Sequence, residues 1–152
     1  MSELRDLYQE VILDHAKKPR NFGAMPGANH HADGHNPLCG DKLKLFVKTE
    51  DGRIADVRFE GSGCAISMAS ASLMSEAIKG KTESEARDMF ERFHTGLTTS
   101  DETASAGALA DLGKLGIFAG VREFPVRVKC ATLPWHTLVA ALDDAKEPVK
   151  TE

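Results

Sequence analysis

Residues 43–72 read LKLFVKTEDGRIADVRFEGSGCAISMASAS, and this stretch decides the fold class. Leu43, Leu45 and Val47 alternate with Lys42, Lys44 and Lys48, while Ala55, Val57 and Phe59 alternate with Asp56, Arg58 and Glu60. A period of two puts apolar side chains on one face of a strand and charged ones on the other. Asp51-Gly52 between the runs is a strong hairpin signal, because the tight turn needs residues that tolerate left-handed backbone. A lone hairpin is marginal in water, so a further strand and covering helices are expected. Gly61-Ser62-Gly63-Cys64 then breaks the second strand. A helix is expected from Ala65 to Ile78, whose small Ala69, Ser70, Ala71 and Ser72 permit close approach of a neighbour.

Upstream, Leu4, Leu7, Tyr8, Val11 and Ile12 recur at helical spacing, with Ser2 as a cap and Pro19 as a stop. Residues 20–40 are rich in Gly, Pro and Asn and read as a loop carrying His30, His31, His35 and Cys39. Downstream, Thr82 with Glu85 is a capping-box pattern, followed by an apolar stripe of Ala86, Met89, Phe90 and Phe93. Leu97 to Ala104 reads as a loop, Ser105 to Ile117 as a glycine-weakened helix, and Val121 to Val128 as a strand. A final helix is expected from Pro134 to Ala145. These elements make one α+β domain over residues 1–146, a small antiparallel sheet with helices packed on it, and a flexible polar tail over 147–152.

The 152 residues carry 19 Lys and Arg against 23 Asp and Glu, a net charge of −4, which disfavours a nucleic-acid groove. No apolar run approaches the roughly 20 residues that cross a bilayer. Acidic Glu3, Asp6, Glu10 and Asp14 interrupt the first segment, unlike a signal or transit peptide, so a cytoplasmic location is expected. Three cysteines, odd in number and far apart, do not make a disulfide framework in a reducing compartment.

Each cysteine falls at a junction: Cys39 before a strand, Cys64 before a helix, and Cys130 between the expected strand and the last helix. A thiol near a helix N-terminus has its thiolate favoured by unpaired N–H groups, and Arg127 and Lys129 add positive potential beside Cys130. Three such thiols suit zinc or an iron–sulfur cluster, both of which select soft ligands. Asp41, one glycine after Cys39, is the nearest candidate for a fourth, harder ligand. The plainer alternatives are buried packing for the cysteines, an exposed loop for His30, His31 and His35, a turn role for Asp41, and half-buried packing for His136.

Three motifs carry a resemblance: Asn36-Pro37-Leu38-Cys39-Gly40-Asp41, Gly61-Ser62-Gly63-Cys64-Ala65-Ile66-Ser67-Met68, and Arg127-Val128-Lys129-Cys130-Ala131-Thr132-Leu133-Pro134-Trp135. Together with the opening LYQEVILDHAKKPRNFG, they make the chain similar to the U-type iron–sulfur assembly family, NifU N-terminal-like or IscU-like. Lys129 stands where the scaffold type has a histidine, and extra material lies at roughly Thr95 to Gly116. Both features resemble the SufU subgroup of zinc-dependent sulfurtransferases. The resemblance implies Cys39, Asp41, Cys64 and Cys130 as zinc ligands, Cys39 as sulfur acceptor, and Arg127 in docking or charge balance. It further implies a SufS-type cysteine desulfurase as sulfur donor and downstream iron–sulfur assembly proteins as partners. The alternative within the same resemblance is a scaffold on which a [2Fe–2S] cluster is built and handed on. Leu38, Ile66 and Trp135 are candidate docking points, with core packing the commoner fate of the last two.

Overall fold

The structure is a computed structural model that describes the backbone of residues 2–37 and 39–150 and the side chains within 9–37 and 39–150. The Ser2 cap, the inward positions of Leu4, Leu7 and Tyr8, and a docking role for Leu38 lie outside the described residues.

The hairpin forms as its pattern demands. Strand β2, Asp41–Glu50, pairs antiparallel with β3, Arg53–Ser62. Asp51 and Gly52 bridge them with φ of +54° and +78°, the double left-handed turn that matches strand twist. One detail departs from strict alternation. The register shifts between Lys48 and Thr49, whose partners are Asp56 and Ile54, so Ala55 is an unpaired bulge residue and faces solvent. Ile54, Val57 and Phe59 therefore line the core, each fully buried.

The further strand comes from the segment read as a loop. His30–Asn36 is strand β1, antiparallel to β2, with Ala32, Gly34 and Asn36 inward. Gly34 lies so close to helix α5 (Pro125–Leu142) that a Cβ there would overlap the Thr137 hydroxyl. The histidines and glycine hide this strand from a propensity reading; pairing with β2 and docking on α5 create it. The expected tail contributes β4, Val149–Lys150, parallel to β1, giving the sheet order β3-β2-β1-β4.

Helices cover one face of the sheet. Helix α1, Ser2–Lys17, rests on α2, Ala65–Ile78. The small residues of α2 do what close approach requires. Ser72 Oγ lies 2.7 Å from His15 Nδ1 and accepts the Arg20 N–H at 2.9 Å, while Ser70 Oγ donates to the Ala131 carbonyl of α5 at 2.5 Å. The Thr82–Glu85 capping box is formed and opens α3, Glu83–Thr98.

Three expectations fail between α3 and α5. The stretch from Leu97 to Ala104 is mostly helical, because α3 runs on to Thr98 and α4 occupies Glu102–Leu109 after an Asp101 cap. Gly113–Glu123 then winds as a 3₁₀ helix, burying Leu115, Phe118 and Val121 at its three-residue period. Val121 to Val128 is not a strand. Phe124 is extended, as a residue before proline must be, and Pro125 begins α5 at a position where its missing N–H costs nothing. The helix passes through Pro134, expected to start it, because residues 130–135 are all buried and packing outweighs the lost backbone bond. It stops where Asp144 turns left-handed at φ +54°, with Ala145 N–H on the Ala140 carbonyl and Asp144 N–H on Ala141. Among the described residues, no helix is long and apolar enough to cross a membrane.

Candidate metal centre

Four elements converge at one end of the sheet. Cys39 lies in the β1–β2 turn, its N–H on the Asn36 carbonyl at 3.3 Å, and Gly40 follows with φ +71°. That left-handed glycine reverses the chain between Cys39 and Asp41. Asp41 opens β2 and is fully buried. Its Oδ1 accepts the Cys64 N–H at 2.8 Å, whereas its Oδ2 is buried with no hydrogen-bond partner. An orphaned buried carboxylate oxygen is costly, so it marks a place where a cation or proton belongs.

Cys64 is the N-cap of α2, and its Sγ accepts the Ser67 N–H at 3.5 Å. This is the helix-terminus position that its place before Ala65 predicts. Cys130 is placed differently from expectation. It lies in the second turn of α5 rather than at a strand–helix junction, and it is 1% exposed. Its Sγ sits 3.1 Å from Cys39 Sγ, and Asn36 Nδ2 donates to it at 3.6 Å. Burial pushes the Cys130 thiol well up, and the neighbouring Cys39, Asp41 and Cys64 push it further. The pocket therefore resists collecting negative charge without a compensating cation.

The ligand atoms of Cys39, Asp41 and Cys130 all lie within 4.8 Å of one another. The Cys64 sulfur is outside that set, although its backbone N–H holds the Asp41 carboxylate. Arg127 is exposed in the first turn of α5 and makes no ion pair among the described residues. Lys129 lines a cavity between α3 and α5. His30, His31 and His35 stand on β1 outside the cluster, and His30 Nδ1 is 2.9 Å from Asp144 Oδ1. Ile66 and Trp135 are core residues, 9% and 0% exposed.

The family model described as NifU-like N terminal domain matches residues 7–131. The chain belongs to this family. Over 137 residues this NifU-like chain is 42% identical to a Bacillus subtilis protein named zinc-dependent sulfurtransferase SufU, covering 90% of each. It is 37% identical over 142 residues to a Streptococcus pyogenes protein named iron–sulfur cluster assembly scaffold protein IscU, covering 93% of this chain and 86% of that one. A crystal structure from Fervidobacterium islandicum, titled as a putative iron–sulfur cluster assembly scaffold protein for the SUF system, superposes with a TM-score of 0.75 at 36% identity. That superposition covers 91% of this chain and 98% of the other.

Sequence reasoning missed two residues of this NifU-like centre. Asn36, fully buried, reaches the Cys130 sulfur; the sequence placed it in the 20–40 loop and at the head of the Cys39 motif, with no role of its own. Gly63 gives the Asp41 carboxylate its room, since a Cβ there would stand 2.5 Å from Asp41 Oδ1. A glycine immediately before a cysteine N-cap was the available signal.

Proposed function

We propose that the chain serves iron–sulfur cluster assembly as a zinc-dependent sulfurtransferase that takes persulfide sulfur from a SufS-type cysteine desulfurase. One observation carries the reading: the ligand atoms of Cys39, Asp41 and Cys130 lie within 4.8 Å of one another, a mixed thiolate–carboxylate donor set in which one Asp41 oxygen is buried and unpartnered. Cys39, Asp41, Cys64 and Cys130 would hold the zinc, Cys64 from its position as the N-cap of α2. Bound zinc supplies charge that keeps the ligating sulfurs deprotonated at neutral pH.

The chain's own residues then divide the work. Cys130 is buried and anchored by Asn36, and the Cys64 sulfur is engaged by the Ser67 N–H, whereas half-exposed Cys39 sits in a turn beside left-handed Gly40. Cys39 is therefore the acceptor. Its thiolate attacks the sulfane sulfur of the donor persulfide, forming one S–S bond while the S–S bond to the donor cysteine breaks. The donor leaves as a thiolate, so the exchange is redox-neutral. Arg127, exposed three residues before Cys130 and flanked by exposed Phe124 and Val126, serves donor docking.

The test is turnover of a SufS-type desulfurase in the presence of zinc-loaded or chelated protein. Zinc-loaded protein should raise turnover and chelation should remove the effect. The scaffold reading, favoured by the names of the Streptococcus and Fervidobacterium relatives, requires the reverse. Zinc would then suppress sulfur transfer, and the stripped protein would build a stable cluster from iron and sulfide.

The cradle for Asp41 yields a second prediction. Gly63→Ala should lower zinc affinity by about 10- to 100-fold, because the methyl displaces the carboxylate as loss of an outer-shell partner would. A competition titration with a chromogenic chelator reads this directly; unchanged affinity would show that Asp41 does not need its present position.

A further inference from the structure

Cys39 and Cys130 stand in contact, their sulfurs 3.1 Å apart. A sulfane sulfur received by Cys39 therefore lies within reach of the Cys130 sulfur. In that passage Cys130 would attack the sulfane sulfur, a new S–S bond would form, and Cys39 would leave as the thiolate. Cys130 is 1% exposed, which keeps bulk reagents away from it. Burial does nothing to stop exchange between two sulfurs already touching, so a second influence is needed to keep the sulfur on Cys39.

Asn36 supplies it. The residue ends strand β1 opposite Asp41, the first residue of β2, and is fully buried. Its carbonyl accepts the Cys39 N–H at 3.3 Å, while its Nδ2 donates to Cys130 Sγ at 3.6 Å. One residue thus holds the turn that carries Cys39 and reaches across to the sulfur on α5. Its aim is fixed by the sheet: Gly34, two residues earlier, packs against Leu133 and Thr137 of α5, in the turns that follow Cys130. An N–H donated to a ligating thiolate occupies a lone pair and draws charge from the sulfur, which weakens it as a nucleophile without removing it as a ligand. Among the described residues, no N–H reaches the Cys39 sulfur, whose contact is with the Cys130 thiol.

We infer that Asn36 is a positioning residue that keeps Cys130 the unreactive sulfur of the pair and directs incoming electrophiles to Cys39. The inference deepens the sulfurtransferase reading and rests on it for the sulfur that arrives. The contrast between the two thiols is measurable without a desulfurase.

The experiment treats the zinc-loaded full chain with iodoacetamide and follows each cysteine by peptide mass mapping. Cys39 should be modified first and Cys130 last. Asn36→Leu keeps the side-chain volume and removes the donor, so the rate at Cys130 relative to Cys39 should rise about tenfold, the worth of one hydrogen bond to a charged group. The ratio of Cys64 to Cys39 should stay unchanged, whereas general loosening of the site would raise Cys64 together with Cys130. Cobalt(II) substitution gives a second readout. Asn36→Leu should move the sulfur-to-metal charge-transfer absorption to longer wavelength while the ligand-field bands keep their positions. Asn36→Ala repeats both measurements, so that a clash peculiar to leucine does not decide them. After reaction with a loaded desulfurase, persulfide should sit on Cys39 alone in the unaltered chain and on both Cys39 and Cys130 in Asn36→Leu. A Cys130-to-Cys39 ratio unchanged in both variants, or a rise shared by Cys64, would overturn the inference and leave the sulfurtransferase reading intact. Absence of any persulfide on the unaltered chain would overturn that reading alone, and failure to take up zinc or cobalt would overturn both.

Discussion

If the chain is the proposed sulfurtransferase, Cys39→Ala is expected to reduce sulfur acceptance from a SufS-type desulfurase by at least about a hundredfold, since it removes the proposed attacking atom. The fold should survive, because Cys39 lies in a turn and packs only partly against the core. Cys64→Ala and Cys130→Ala should also abolish stimulation, but for a different reason: both would strip a ligand while leaving the acceptor sulfur present. Intact-mass spectrometry of the persulfide adduct separates the cases. After reaction with the loaded desulfurase and no reductant, Cys39→Ala should carry no adduct, whereas the other two variants should retain some adduct on Cys39 with low zinc content. Full sulfur acceptance by Cys39→Ala would move the acceptor role to Cys64, the other half-exposed thiol.

Trp135→Ala is expected to destabilise the domain by about 3–5 kcal/mol, the usual cost of emptying a buried aromatic site. Trp135 is fully buried, stacks on Phe93 of α3 at 5.0 Å, and Phe93 in turn meets Phe118 of the 3₁₀ segment edge to face at 5.8 Å. Three elements thus share one aromatic cluster. A domain of this size has about 5–15 kcal/mol to lose, so the melting temperature should fall by about 10 °C or more. Trp135→Phe should cost much less, because the indole Nε1 is buried without a hydrogen-bond partner and its removal breaks no bond. Thermal denaturation of the two variants checks the pair; equal losses would show that the site needs the full indole shape and that a phenyl ring recovers none of the packing. Trp135 lies on the same helix as Cys130, so Trp135→Ala should also loosen the metal centre.

The hairpin, α2 and the capping box of α3 were legible because their signals are local: alternation, a two-residue turn, a helix break, a side chain three residues from its partner. Ala55 shows the limit of alternation. A bulge shifts every following residue by one, and nothing in residues 53–59 announces it apart from the pairing with β2. Val121 to Val128 shows a second limit, where valine-rich composition suggested a strand and Pro125 with its extended predecessor began a helix instead.

By itself, the sequence determined the α+β class, the hairpin, and the three cysteine motifs with Asp41 beside Cys39, because each is written within a few adjacent residues. Only the tertiary structure decided that His30–Asn36 is a strand, that Cys130 comes from inside a helix, and that Asn36 and Gly63 lie against Cys130 and Asp41. Those outcomes depend on contacts between residues far apart in the chain: β1 exists through its pairing with β2, and the position of Cys130 follows from burial of residues 130–135 against the sheet and α3.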